Sequence, residues 1–297
     1  MIALLLTIAL QSAGGSADPI GELIAQNRGD NVRVGAAPQD RCRGQWREGS
    51  LLVCRFQPGT RVTLGEVSAR ADAGGFVTLG IPRQAPESLA LRIDYSDAGD
   101  GTGQIVETVS IAQREYDLQH VDGVPQATVT PDPSTLPRRQ REYAQKQDAF
   151  NSVWDGQGFL DGFIAPAEGI TTGVYGSARV YNNGHEGNPH WGLDWANQEG
   201  TPIYAPAGGL VTLAEPDMYY EGGLIFIDHG QGLVSAFLHL SGVSVEDGDI
   251  VEQGQLIGQM GAGGRATGSH LDWRVKLRNG FYVDPQSLLD LDLNGLE

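Results

Sequence analysis

Basic residues are scarce in this chain of 297 residues: 20 Lys and Arg stand against 37 Asp and Glu, a formal net charge of −17. That balance argues against nucleic acid and anionic membrane surfaces as partners. It also gives no general attraction to a carboxylate-rich polymer, so binding of one has to come from local chemistry. Aromatic residues make up only 7% while glycine is abundant at 42 residues, which favours short strands and tight turns over long helices. No run approaches the ~20 apolar residues that a membrane span requires, so no integral membrane segment is expected in the mature chain. The apolar stretch Met1 to Leu10 is shorter and is followed by small residues to Ala17. It reads as a secretory signal over residues 1–17, the alternative being an apolar end that frays or packs on the core. No cysteine follows it to carry a lipid anchor.

Cysteine is almost absent. Cys42 and Cys54 are the only two, and in an exported chain a disulfide closing this short loop is expected; two buried thiols are the alternative. With no second Cys or His pair nearby, they suggest neither a metal site nor redox chemistry.

What the chain does contain is a succession of short β segments. Ser50 to Phe56, Arg61 to Leu64, Gly75 to Leu79 and Leu89 to Ile93 are apolar or alternating, with Gly and Pro between them. They predict a β-sandwich of Ig-like architecture over residues 30–122, without a catalytic constellation. Four prolines between Pro125 and Pro137 mark a break. Arg138 to Asp155 then lacks Pro and Gly and predicts a helix, so residues 123–156 form a linker with a helix. The run Arg138-Arg139-Gln140-Arg141 reads as a solvated helix face, with a partner patch as the alternative. From residue 160 to 290 the pattern is β again, in segments such as Gly208 to Leu213, Gly223 to Asp228 and Leu233 to His239. The expected class is all-β, ending in a domain built on a curled antiparallel sheet.

This last region holds the residues that carry chemistry. His190 and Asp194 lie four apart, and a turn at Gly192 is expected to bring them together. Imidazole plus carboxylate suits a divalent metal with room for a further ligand and a water. His270 and Asp272 are two apart on a strand, which puts both on one face and Leu271 and Trp273 on the other. Two polar side chains on an apolar sheet need partners, because an unpaired buried polar group costs a few kcal/mol. His239 ends an apolar strand. Each signal alone is weak, and the set is far more specific than its members.

The motifs in order are Phe163-Ile164-Ala165-Pro166, Gly173 to Arg179, His190-Trp191-Gly192-Leu193-Asp194-Trp195-Ala196 and Gly200 to Gly209. Ile227-Asp228-His229-Gly230, Leu238-His239-Leu240-Ser241, Gly248 to Gly258 and Thr267 to Trp273 follow. Together they resemble the lysostaphin/LytM-type zinc metallopeptidases, which cut peptide bonds in bacterial peptidoglycan. The resemblance implies that His190 and Asp194 ligate zinc, with Asp272 in a third position that the family normally fills with histidine. It implies that His239 and His270 flank the bound water as the catalytic pair. Phe237 stands where the family has tyrosine. A carboxylate is a legitimate Zn²⁺ ligand, but two Asp and one His leave the metal less positive and should weaken its effect on water.

The expected function is thus a secreted or periplasmic zinc metalloendopeptidase acting on peptidoglycan stem peptides or cross-links. The alternative is a catalytically weak or inactive LytM-like module that binds cell wall or activates another hydrolase. A biotinyl-type carrier, hinted at by the hairpin Val243 to Gly258, is excluded because no lysine lies between Gly156 and Arg274. The N-terminal sandwich is expected to position the enzyme or to bind a regulatory protein partner, and the linker helix to cover the groove.

Overall fold

The computed structural model of the protein describes residues 37–95, 103–278 and 280–296. The expected signal segment, residues 1–17, lies outside them. Twenty strands follow in chain order. The N-terminal ones are β1 (Cys42–Arg43), β2 (Leu51–Arg55), β3 (Arg61–Leu64), β4 (Val67–Arg70), β5 (Phe76–Gly80), β6 (Ser88–Asp94), β7 (Gln104–Ser110) and β8 (Leu118–Val121). A helix, Leu136–Phe150, separates them from β9 (Ile170–Gly173), β10 (Ala178–Tyr181), β11 (His185–Glu186), β12 (Gly192–Ala196), β13 (Pro202–Tyr204) and β14 (Gly209–Met218). The chain continues through β15 (Gly222–Asp228), β16 (Leu233–Val243), β17 (Ile250–Val251), β18 (Leu256–Met260), β19 (His270–Leu277) and β20 (Tyr282–Val283). The mostly β class read from glycine content and alternation is what the chain adopts.

The N-terminal strands make two sheets, in the orders β1-β2-β5 and β4-β3-β6-β7. Leu52, Cys54, Val77 and Leu79 of the first share one apolar core with Val62, Leu64, Leu91 and Ile93 of the second. Cys42 and Cys54 are paired neighbours on β1 and β2 and are joined by a disulfide. That bond links adjacent strands of one sheet, whereas the antibody-domain disulfide joins two sheets.

Strand β2 is buried on both faces, and the reason is its alternation. Leu52 and Cys54 face the N-terminal core, while Leu51 and Val53 enter the core beneath the C-terminal sheet, beside Leu277, Val283 and Leu288. Arg114 reinforces this junction with an ion pair to Asp284, 2.6 Å. Residues 38–297 consequently form one compact unit.

The C-terminal sheet runs β17-β14-β15-β16-β19-β12-β9, with β13, β18 and β20 attached at its side. Along β12 and β19, Leu193, Trp195, Leu271, Trp273 and Val275 point into the main core. Asp194, Asp272 and Arg274 alternate with them and stand on the opposite face. The helix Leu136–Phe150 covers part of that second face, its end packed through Ala149 and Phe150 against Leu213, Phe226 and Leu238. Arg138 and Arg139 are not simply solvated. Arg138 pairs with Glu142 at 2.6 Å, and Arg139 donates to the Tyr220 hydroxyl at 3.2 Å.

Candidate metal centre

Strand pairing builds the site. Asp194 on β12 and Asp272 on β19 are direct cross-strand partners, which places their side chains adjacent on one face. His190 precedes β12 and is held by its backbone, which exchanges hydrogen bonds with Ser177 and Gly176. Its Nε2 lies 2.9 Å from Asp194 Oδ1 and 3.4 Å from Asp272 Oδ1. All three side chains are buried, and their ligand atoms lie within 4.8 Å of one another.

The expected turn at Gly192 is absent: Gly192 is the first residue of β12 and is needed for a different reason. A Cβ at Gly192 would lie 2.2 Å from Asp272 Oδ1, and one at Gly173 on β9 would lie 2.3 Å from Asp194 Oδ2. Both glycines clear space for the carboxylates. A backbone contact with the growing side chain, rather than chain reversal, explains their presence.

The hydrogen-bond accounting identifies what this cluster can hold. His190 Nδ1 is 3.2 Å from the Val174 carbonyl oxygen. A carbonyl can only accept, so Nδ1 carries the proton and Nε2 presents its lone pair to the two carboxylate oxygens. Neither His190 Nε2 nor Asp194 Oδ1 has a hydrogen-bond partner, although both are buried. Three electron-pair donors converging in a buried space need a cation among them. A divalent metal fits this donor set, in both chemistry and spacing.

The pKa directions show that a positive charge is favoured between the carboxylates, a proton on His190 Nε2 being the alternative to a metal ion. Burial opposes charge on His190, yet the carboxylates of Asp194 and Asp272 outweigh it and raise its pKa. Burial and the Asp272 carboxylate push Asp194 up, but His190 and Arg179 overcome both and hold it below the usual carboxylate range. Asp272 is held well below that range against burial, first by Arg274 and then by His190. The arginines were the part that spacing missed. Arg179 donates to Asp194 Oδ2 at 2.7 Å, and Arg274 spans Asp272 with Nη2 to Oδ2 at 2.5 Å. With two guanidinium groups beside two carboxylates, the expected loss of positive charge is offset within the site. The signal available beforehand was the i, i+2 spacing of Asp272 and Arg274 on one strand face.

His239 and His270 form a second pair beside this cluster, their ring centroids 4.7 Å apart. His239 Nδ1 faces the Gly263 carbonyl at 2.8 Å and His270 Nδ1 the Gly268 carbonyl at 2.9 Å. By the same tautomer argument, both neutral rings carry the lone pair on Nε2. His239 lies within β16 in a left-handed backbone conformation, φ 66°. The ladder with β15 and β18 is irregular around it, and such bulges re-aim a side chain. Burial, and secondarily the charge of His270, lowers the His239 pKa to about 4.

His229 is buried and hydrogen-bonded on both ring nitrogens, to the Gly208 carbonyl and to Ser235 Oγ. His185 is exposed on β11. His120 is exposed, and β8 pairs in parallel with β10 and brings it to the groove beside Arg179, Asp194 and His270. That placement depends on a pairing 60 residues apart in sequence, Leu118 with Ala178 to Val121 with Tyr181, and nothing local announces it.

A buried His–Asp–Asp cluster that could hold a metal ion thus stands on an antiparallel sheet, with two histidines beside it. Residues 188–285 match peptidase family M23, so this part of the chain is a peptidase M23 domain. The peptidoglycan DD-endopeptidase ShyA of Vibrio cholerae is 39% identical over 90 residues, 30% of this chain and 21% of that protein. A lipoprotein NlpD/LppB homologue of Pseudomonas aeruginosa is 34% identical over 135 residues, 44% of this chain and 40% of that one. The chain thus spans about a fifth of the length of the curated endopeptidase and less than half of the lipoprotein. A crystal structure from Pseudomonas aeruginosa assigned to peptidase M23 superposes with a TM-score of 0.61 at 28% identity. It covers 82% of this chain and 95% of that one, so the likeness extends past the M23 domain.

Proposed function

We propose that this protein is a zinc-dependent peptidoglycan endopeptidase of the bacterial envelope, acting on stem peptides or cross-links. The carrying observation is the convergence of His190 Nε2, Asp194 Oδ1 and Asp272 Oδ1, the first two of them buried without a hydrogen-bond partner. The printed name of the Vibrio relative supports the substrate. Export to the periplasm or beyond is supported by the Cys42–Cys54 disulfide, a bond of oxidising compartments. Among the described residues no helix is long and apolar enough to cross a membrane. The proposed organisation is a signal over residues 1–17, an N-terminal β domain, a linker with a helix and the peptidase domain over residues 160–290. The N-terminal domain would also offer a surface to a regulatory protein.

In this reading His190, Asp194 and Asp272 hold the zinc, which when bound polarises a scissile carbonyl and acidifies a water. His239 and His270 present Nε2 lone pairs, so one accepts the proton of the attacking water. Once protonated, the same ring donates to the leaving amine, and its neighbour can hydrogen-bond the developing oxyanion only in its imidazolium form, with Nε2 protonated. The test measures zinc content and cleavage of cross-linked peptidoglycan for wild type, Asp194→Ala and His239→Ala. The expected result is zinc retained and cleavage reduced at least ~100-fold in His239→Ala, with both lost in Asp194→Ala. Equal cleavage by all three proteins would overturn the catalytic role.

A second reading is a non-catalytic module that activates another cell-wall hydrolase. The observation favouring it is that both carboxylates already pair with arginine. It requires metal-free protein to stimulate a separate amidase while cleaving nothing itself.

A further inference from the structure

We propose that Arg274 and Arg179 are positioning residues of the metal centre, each gripping the outer oxygen of one carboxylate so that the inner oxygen faces His190 Nε2. This rests on the reading that the cluster holds zinc. On β19, Arg274 Nη2 reaches Asp272 Oδ2 at 2.5 Å, while its Nε lies 3.0 and 3.1 Å from Oδ2 and Oδ1. On β10, Arg179 Nη2 reaches Asp194 Oδ2 at 2.7 Å. Arg179 touches Oδ2 of Asp194 alone, while the shortest Arg274 contact falls on Oδ2 of Asp272 and a longer one on its Oδ1; in both carboxylates the contact to His190 Nε2 is made by Oδ1.

An ordinary buried ion pair would leave no oxygen unmet, since burial of an unpaired carboxylate oxygen is costly. Here Asp194 Oδ1 is buried without a partner. The arrangement is half satisfied, and the unsatisfied half points at the third donor. Room for it is built in. The Cβ missing at Gly173 would lie 2.9 Å from Arg179 Nη2 and that missing at Gly192 would lie 2.8 Å from Arg274 Cγ. The two carboxylates cancel the charge of a dication, and the two guanidinium groups restore it. A carboxylate ligand can bind through one oxygen or two, and an arginine fork on the far side fixes which.

The experiment is a competition titration of zinc against a chromophoric chelator, using full-chain protein stripped of metal. Arg274→Gln and Arg179→Gln are each expected to weaken zinc binding about 10- to 100-fold. The sign is informative, because removing a cation beside a dication would by charge alone tighten binding. Arg274→Lys keeps the charge and loses the fork, and is expected to bind nearly as weakly as Arg274→Gln. The double variant Asp272→His/Arg274→Gln supplies an imidazole that needs no fork and should return to within about threefold of wild type. A folded Arg274→Gln that binds zinc as tightly as wild type, or more tightly, overturns the proposal. Should circular dichroism show that Arg274→Gln does not fold, unchanged affinity in Arg274→Lys overturns it. Wild type that takes up no zinc refutes the metal reading itself, and this inference with it.

Discussion

The N-terminal and C-terminal sheets bury their residues in opposite ways. The N-terminal core is mainly apolar, Leu52, Val62, Leu79 and Ile93 among its members, with Ser50, Thr60 and Thr78 buried beside them, and a disulfide ties two of its strands. The C-terminal sheet puts His190, Asp194, His239 and Asp272 at 5% exposure or less on one face. Apolar burial stabilises a fold outright, whereas buried charge is costly unless paired. A sheet that carries such a cluster is organised around what the cluster holds. The first region shows what folding alone asks of β strands, and the second shows what function adds.

Glycine makes the sharpest test of that contrast. Gly192→Ala puts a methyl 2.2 Å from Asp272 Oδ1 and 2.6 Å from the Trp273 carbonyl oxygen, a backbone atom that cannot swing away. Zinc affinity is expected to fall at least ~100-fold, with a stability loss of about 1–3 kcal/mol from overpacking. Gly103→Ala, in the N-terminal region where a methyl meets nothing within 4 Å, should change stability by no more than about 0.5 kcal/mol and leave zinc binding alone. Calorimetric unfolding with and without zinc reads both. Equal behaviour of the two variants would remove the distinction between structural and site glycines.

How much of this was legible follows the range of the interactions. The strands β2, β3, β5 and β6 match alternating runs bounded by Gly and Pro, because strand formation there is local. His270 and Asp272 on one face of β19 follow from a period of two. The short strand β4 and the seven-residue strand β7 went unread: Val67–Arg70 follows a two-residue turn, and Gln104–Ser110 is mostly polar and half exposed. The role of Gly192 was misread because a glycine between two site residues suggests a turn. The space it leaves becomes visible only once β19 lies beside β12. Arg179 sat inside a quoted motif, but its partner Asp194 is fixed by tertiary folding.

A smaller effect concerns pH and lies beneath the site sheet. His229 donates from Nδ1 to the Gly208 carbonyl and accepts at Nε2 from Ser235, whose oxygen also accepts from Trp273 Nε1. That network is complete only with a neutral ring, and burial lowers the His229 pKa to about 4 from 6.5. Between those values the unfolded chain holds a proton that the folded chain does not, so stability rises with pH across the window. Full stability is present above pH 6.5, and about 3 kcal/mol is expected to be lost on descending to pH 4. Urea unfolding at intervals of pH would show the slope, and His229→Gln should flatten it by about one proton. An unchanged slope in that variant would mean that another group controls the acid transition. No counterpart is expected from the N-terminal core, where among the described residues no histidine is buried.

The smallest expected effect concerns the segment that joins the two regions. Strand β8 lines the groove through Gln119, His120 and Val121, with Asp122 just after it, and the chain that follows is hydrogen-bonded to two neighbouring segments. On one side Asn182 accepts from the Gly123 N–H and donates to the Val124 carbonyl. On the other, the Tyr219 hydroxyl donates to the Ala127 carbonyl at 2.8 Å and Arg265 to the Thr128 carbonyl at 2.5 Å. Residues 119–122 and 124, rather than the linker helix expected to cover it, line this groove. Each tie is worth about 0.5–1.5 kcal/mol net, so removing two of them shifts an opening equilibrium by a few kcal/mol at most. Asn182→Ala/Tyr219→Phe is expected to raise cleavage of cross-linked peptidoglycan about two- to fivefold if opening limits entry. Zinc affinity should stay at the wild-type value, since neither residue touches the His190 cluster. A rate that stays constant would show that this segment is a fixed wall of the groove, contributed by the N-terminal region as structure alone.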